Sequence, residues 1–257
     1  MPNKNKQPTE RFAIVSWNAA HSNQHKHRIR QYLYDNRPTI MTIQEAQGYS
    51  DITHPHYLVY QSQNKYLLIL VQTSFPHKYI QQQMSHNNSA MGTIVGSNIT
   101  IHMVYQHPKS NKAQSQEMWD TITKIHYNNS NIIAIGDFNA SHSSWSPQGN
   151  ENLLGQWLFN NIQKVKWITT NNTFCPYTST YICKSKNTLD LAIASSLDLV
   201  SDMQVLQQSV LVSDHFPIQI TINNQGRTYG TGTKLGWRIP EPTSDIRLQK
   251  PNRKENT

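Results

Sequence analysis

Ile132-Ile133-Ala134-Ile135-Gly136-Asp137-Phe138-Asn139-Ala140 passes directly from an unbroken apolar run, through a glycine, to an Asp-x-Asn. A run that is apolar without alternation is the pattern of a strand buried on both faces. A carboxylate at its end lies at the rim of a sheet, where α/β proteins commonly place their sites. Asp-x-Asn after a glycine is also a common turn, so turn and site both stay open on this stretch alone.

Three other strand candidates end in the same way. Phe12-Ala13-Ile14-Val15-Ser16-Trp17 runs into Asn18, Ile40-Met41-Thr42-Ile43-Gln44 into Glu45, and Ile99 to Val104 into Tyr105. Strands that finish on Asn, Glu, Tyr and Asp-x-Asn imply loops at one sheet edge that converge on a shared cleft. Further strand candidates are Tyr66 to Val71, Leu189 to Ala194 and Ile218 to Ile220. Helix candidates lie near His25 to Asp35, Ser115 to His126 and Asn150 to Asn161; in the second, Met118, Trp119, Ile122 and Ile125 fall at helical spacing and read as core. Many strands with helices interspersed predict a layered α/β fold, two sheets packed together as a β-sandwich and flanked by helices.

Thr188-Leu189-Asp190-Leu191-Ala192-Ile193 sets a lone carboxylate in an apolar strand, and Ser213-Asp214-His215-Phe216-Pro217-Ile218 sets Asp beside His just before another. A buried carboxylate left unpaired costs about several kcal/mol or shifts its pKa. His215 is therefore the expected partner of Asp190.

The formal charge of +8, with twelve histidines besides, favours a polyanion such as nucleic acid or an anionic membrane surface. The longest apolar run, Tyr66 to Val71, is far too short to span a bilayer, and Met1-Pro2-Asn3-Lys4-Asn5-Lys6 leads into no signal-peptide core. The expectation is a soluble intracellular protein. Cys175 and Cys183 are the only cysteines, neither a disulfide framework nor a zinc set, and they read as reduced thiols. Residues 1–10 are expected to be a disordered segment and 11–225 one domain. Residues 226–257, Gly-rich and then rich in Pro, Lys and Asn, read as a linker leaving it.

The ordered set Trp17-Asn18, Gln44-Glu45, Tyr105, Gly136-Asp137-Phe138-Asn139-Ala140, Leu189-Asp190 and Ser213-Asp214-His215 resembles the endonuclease/exonuclease/phosphatase superfamily. Within it, the chain is most similar to the apurinic-type endonucleases of non-LTR (LINE-like) retrotransposons, over roughly residues 11 to 222. Gly136 to His142 followed by Trp145, Asn187-Thr188-Leu189-Asp190-Leu191, the run from Ser213 to Ile218, and Trp237 past the domain carry that narrower likeness. Two places depart from the family's phrases: Tyr105-Gln106-His107-Pro108 stands for Tyr-x-Pro-Pro, and Ser141 for a second histidine.

The resemblance implies a DNase I-like fold and a metal-dependent DNA endonuclease. It would nick double-stranded DNA and leave a 3′-hydroxyl for a reverse transcriptase domain elsewhere in the polyprotein, acting in the nucleus without a membrane or a small-molecule cofactor. Such hydrolysis needs an activated water and charge stabilisation around the phosphorus. Glu45 is expected to bind Mg²⁺, with Mn²⁺ as a substitute and with Asn18 and Asp214 nearby. Asp137 is expected to orient or deprotonate the water, Asn139 and Tyr105 to hydrogen-bond the phosphate, and His215, kept protonated by Asp190, to stabilise its charge. Thr188 and Ser213 are expected to brace the acids. The stretch Asn171 to Asn187 corresponds to a hairpin that probes a DNA groove in related enzymes, with Phe174, Tyr177 and Tyr181 against base steps and Lys184 and Lys186 on the backbone. The alternatives are an apurinic/apyrimidinic repair endonuclease and a non-catalytic nucleic-acid-binding module. Clustered carboxylates repel phosphate and argue against the second.

Overall fold

The apolar runs form the central strands of two facing sheets. The structure, a computed structural model, describes residues 10–20, 26–49, 51–124, 130–146, 150–182 and 186–224. One six-stranded sheet comprises β1 (Glu10–Asn18), β2 (Ile40–Gln44), β3 (Tyr57–Gln61), β4 (Leu67–Gln72), β11 (Val200–Val205) and β12 (Ile218–Asn224), in the order β11-β12-β1-β2-β4-β3. The other, also six-stranded, comprises β5 (Lys78–Gln81), β6 (Ala90–Val95), β7 (Thr100–Tyr105), β8 (Ile132–Asp137), β9 (Ile168–Thr169) and β10 (Asp190–Ala194), in the order β5-β6-β7-β8-β10-β9. Each sheet holds one parallel pair, β1 with β2 and β7 with β8. Parallel neighbours need a crossover, and α1 (Lys26–Asn36) and α2 (Lys112–Lys124) lie in those connections. α3 (Leu153–Val165) and the short α4 (Asn171–Phe174) follow β8. This is the two-sheet sandwich flanked by helices that the sequence predicts.

Three apolar cores explain why the central strands carry no polar alternation. Side chains of a strand point alternately to opposite faces. In β8, Ile133 and Ile135 enter the sandwich interior with Ile14, Ile69 and Ile220, while Ala134 faces outward against Met118, Trp119 and Ile162 of the helices. On the other sheet, Val15, Trp17, Met41 and Ile43 pack under Ile29 and Leu33 of α1. Both faces of each central strand are thus covered, and both must be apolar.

Five strands escape a search for apolar runs. β5 alternates exposed and half-buried positions, β9 is only Ile168–Thr169, and β11 carries Ser201, Asp202 and Gln204. These three lie at sheet edges, where one flank meets solvent. β6 is interrupted by Gly92, and β3 is an edge strand closed by a tyrosine and a glutamine. Among the described residues no helix is long and apolar enough to cross a membrane. The described residues fall in a unit that ends at Gly226; the expected disordered segment before residue 10, the expected linker from 226 and Trp237 lie outside them, as do His21, His25, Ile125, His126, Cys183 and Lys184.

Gly136 is the residue through which β8 approaches β7. Its φ is 150°, and a Cβ built there would lie 1.9 Å from the carbonyl oxygen of Val104. Backbone cannot yield as a flexible side chain can, so Gly136→Ala is expected to cost about 2–4 kcal/mol of folding stability. Urea unfolding of the two proteins measures this; a midpoint unchanged by the substitution contradicts the packing described.

Candidate active site

Strand register brings the polar strand ends together. In one sheet Asn18 pairs with Gln44, and Glu45 follows directly. In the other, Asp137 pairs with Tyr105 on one side and with Asp190 on the other. Asn18, Asp137, Asp190, Tyr105 and His215 are all buried, with Asp137 and Asp190 fully excluded from solvent.

Two hydrogen-bonded groups result. The Asn18 side-chain amide donates to Asp137 Oδ2 at 2.8 Å and to Glu45 Oε1 at 3.3 Å, and the Tyr105 hydroxyl donates to the same Glu45 oxygen at 3.1 Å. Asn139 folds back on Asp137 through its backbone N–H at 2.9 Å and its Nδ2 at 3.1 Å, and that Nδ2 also donates to the Gln106 carbonyl at 2.8 Å. Asp190 Oδ2 and His215 Nδ1 stand 2.7 Å apart. Glu45 and Asn139 both hold left-handed backbone, φ 52° and 48°, a conformation that costs a non-glycine residue free energy and collects at functional sites.

Burial drives the electrostatics. It pushes the Asp137 carboxyl up to about 7; the charge on Asp190 adds to this, while His215, Asn139 and Asn18 oppose it. Burial pulls His215 the other way, toward the neutral form, but Asp190, through charge and hydrogen bond, together with Asp137 and Asp214, outweighs it and holds the imidazole up at about 10. Burial also raises the Tyr105 hydroxyl far above the usual range, with the Glu45 and Asp137 charges adding. Tyr105 is therefore a hydrogen-bond donor at neutral pH, and His215 a cation.

The donor set fits a divalent cation. Asp137, Asp190 and His215 offer ligand atoms within 4.8 Å of one another, a grouping that differs from the expected Glu45, Asn18 and Asp214. His215 Nδ1 and Asp190 Oδ2 already satisfy each other, so a metal would find them engaged. Among the described residues, Asp190 Oδ1 and Asp214 Oδ1 are buried without a hydrogen-bond partner, and buried carboxylate oxygens in that state call for a cation. Hard oxygen donors suit Mg²⁺ and Mn²⁺ better than a soft metal.

The supporting residues divide into those the strand-end pattern predicts and those it misses. The Ser213 hydroxyl lies within 2.6 Å of the Asn18 carbonyl and accepts from Trp17 Nε1 at 3.2 Å and from the His215 N–H at 3.0 Å, so it anchors the His215 loop to β1. Among the described residues Thr188 makes no hydrogen bond to a carboxylate; its hydroxyl donates to the Thr178 carbonyl at 3.1 Å. Thr180, unmarked in the sequence, is buried and accepts from the N–H groups of both Leu189 and Asp190 at 3.0 Å. Asn152 caps α3 by accepting from Gly155 N at 2.7 Å and also donates to the Asn139 carbonyl at 2.9 Å, clamping the loop that follows Asp137. An Asn just before a helix is an N-cap signal, but its second role has no sequence signature.

Within the expected hairpin the aromatic residues diverge. Phe174 ends α4 and packs against the sandwich core, Tyr181 lies with its ring 4.9 Å from that of His215, and Tyr177 is 72% exposed. Phe174 and Tyr181 are half-buried, so Tyr177 presents the most open ring of the three. Lys186 is exposed, and Ile182 N donates to the Asp214 carbonyl at 3.0 Å, so this segment is stapled to the His215 loop.

Residues 99–219 match the sequence family described as "Endonuclease-reverse transcriptase". No curated protein sequence matches the chain. Among solved structures, the endonuclease domain of TRAS1, a telomere-specific non-LTR retrotransposon, superposes with a TM-score of 0.66 at 19% identity, over 84% of this chain and 100% of that one. A 3′-5′ exonuclease from Neisseria meningitidis, NExo, gives 0.67 at 16% identity, over 81% of this chain and 98% of that one. A NExo structure described as a 3′ phosphatase bound to a product DNA hairpin gives 0.64 at 15% identity, over 81% and 98%. The fold is thus the DNase I-like one that the sequence resemblance implies, and the matched segment carries Tyr105, Asp137, Asn139, Asp190 and His215.

Replacing Thr180 by Val keeps its shape and removes the acceptor that two buried N–H groups share. The loss is expected to cost about 2–4 kcal/mol, since each orphaned donor costs about 1–3 kcal/mol; Thr180→Ser should recover most of it. Urea titrations of the three proteins decide, and equal midpoints for Val and Thr would remove Thr180 from the support of Asp190.

Proposed function

We propose that this retrotransposon-type endonuclease domain nicks double-stranded DNA by hydrolysing one phosphodiester bond. Water attacks phosphorus and the bond to the 3′-oxygen breaks, which leaves a 3′-hydroxyl and a 5′-phosphate. The 3′-hydroxyl then serves as primer for a reverse transcriptase carried elsewhere in the full-length protein, in the nucleus. The observation that carries this reading is the pairing of a buried protonated His215 with Asp190 beside the Asp137 carboxylate.

Each side chain has a task that its environment suits. Asp137, with an elevated pKa, accepts the proton of the attacking water or orients it. Its hydrogen bonds to Asn18 and Asn139 keep it in place. His215 offers Nε2 to a non-bridging phosphate oxygen, because Asp190 occupies Nδ1, and its positive charge opposes the charge that builds in the transition state. Tyr105 and Asn139 supply further donors to the phosphate by exchanging their present bonds to Glu45 and Asp137 for it. Glu45, with Asp214 and Asn18 nearby, would hold Mg²⁺ or Mn²⁺, which would supply charge neutralisation at the phosphate and the leaving oxygen. Tyr177, Tyr181 and Lys186, with Lys184, contact the DNA beside the cut.

An apurinic repair activity is the second reading. The NExo likeness is one of fold, and one fold hosts many substrates.

Supercoiled plasmid should convert to open circles in Mg²⁺ or Mn²⁺ and not in EDTA; undiminished nicking in EDTA rules out the metal mechanism. Asp137→Ala and His215→Ala should each slow nicking by at least about a hundredfold in folded protein. Near-normal rates in both would mean that the site is elsewhere. A duplex with one abasic site should be cut no faster than ordinary DNA, and a strong preference for it would select the repair reading.

A further inference from the structure

Strand order sets the catalytic residues in a row, with a second recognition element at its far end. Along the sheet edge the order is β6, β7 with Tyr105, β8 with Asp137 and β10 with Asp190, and the segment 177–182 adjoins the Asp190 end, where Thr180 accepts from Asp190 N and Tyr181 bridges to His215. Beyond Tyr105, on the side away from that segment, the turn between β3 and β4 and the loop between β5 and β6 enclose a cavity of about 440 Å³. Both loops leave their sheets at the catalytic edge: Ala90 pairs with Tyr105, and Leu67 pairs with Gln44, next to Glu45. Neighbouring strands lie about 4.8 Å apart, so the β6 wall is roughly 10 Å from Asp137, on the order of three base-pair steps at about 3.4 Å each.

The cavity is built, and its frame is linked to the site. Asn64 donates to the Ser89 carbonyl at 2.6 Å and to the Asn87 carbonyl at 3.2 Å, which ties the two loops together. Ser89 Oγ accepts from His107 N at 2.9 Å, and the Tyr66 ring stacks on Tyr105 with centroids 5.2 Å apart. Glu117 of α2 fixes the loop from behind by accepting from Ser85 N at 2.8 Å. With Asn64 spent on the frame, Gln63, Gln83 and Asn87 line the cavity, exposed, and make no side-chain hydrogen bond within the described residues.

We propose that this cavity is a base-reading subsite, in which Gln63, Gln83 and Asn87 recognise base edges of the DNA on the Tyr105 side of the cut. The inference rests on the nuclease reading and adds to it a determinant of cutting position. The lining contains no Lys, Arg, Asp or Glu, and its histidine, His86, has Nδ1 3.4 Å from Glu117, so it lacks the lysines and arginines that hold phosphate. An amide carries donor and acceptor side by side, the pattern that base edges present in a groove, as when Gln or Asn engages adenine.

The test uses duplexes randomised on both flanks of the nick, cut by the unaltered chain, by Gln63→Ala/Gln83→Ala/Asn87→Ala, and by a chain with Gly-Ser in place of Tyr177-Thr178, which leaves Thr180 and its bonds to the Asp190 strand intact. The unaltered chain should show a base preference of roughly fivefold to a hundredfold at a position on the Tyr105 flank. The triple variant should lose it there and keep preferences on the other flank, which the Gly-Ser variant alters instead. An unchanged map in the triple variant, or a change on the same flank as the Gly-Ser variant, overturns the subsite. If the triple variant cuts too slowly to map, hydroxyl-radical footprints on uncut duplex decide: protection lost on one flank supports the subsite, and protection retained there overturns it. Absence of nicking by the unaltered chain would instead refute the nuclease reading.

Discussion

The hydrogen bond from Asn18 to Asp137 joins the last residue of β1 to the last residue of β8, and so joins one sheet to the other at 2.8 Å. Its acceptor is wholly buried. A carboxylate excluded from water is tolerable only where donors surround it, and Asp137 collects them from both sheets and from its own loop. The sandwich cannot slide at this edge without stripping a buried acid of its partners. Sheet packing and site geometry are therefore the same constraint, with His215 and Asp190 providing a second tie between the sheets nearby.

The strands supply the acids and the loops supply the donors that tune them. Asn139 and Glu45 are held in left-handed backbone by bonds made after the strand ends, to the Gln106 carbonyl in one case and from Asn18 and Tyr105 in the other. Asn152 then holds the Asn139 loop against the first turn of α3. Gly155 is what admits this contact, because a Cβ there would lie 1.8 Å from the Ser141 carbonyl oxygen. The local strain is thus offset by a helix cap and a close backbone approach, neither of which touches the acids.

The central strands and the acids at their ends were legible because burial on both faces writes itself as an unbroken apolar run, and a charge that closes such a run is conspicuous. The pairing of Asp190 with His215 was legible for the same reason, as a buried charge in need of a partner. Edge strands such as β5 and β11 carry mixed residues because solvent reaches them, and no local pattern marks them. Thr180 and Asn152 act through backbone contacts with residues distant in the chain, which spacing cannot reveal. Phe174 and Tyr177 differ in exposure, and an aromatic beside a turn reads alike in sequence whichever way its ring is turned. The grouping of Asp137, Asp190 and His215 could not be read from the chain, because three separate strand ends and loops bring their ligand atoms together.

The first described strand is also the partner of the last. β1 pairs with β12 from Glu10 opposite Asn224 to Ser16 opposite Ile218, in the interior of its sheet. On a ribosome adding about 5–20 residues per second, β1 waits on the order of tens of seconds with that edge open. His215 arrives only at the close of this interval. A chain released early would therefore lack both the strand that closes the sheet and the imidazole of the proposed chemistry. Synthesis order itself would then keep incomplete translation products from cutting DNA.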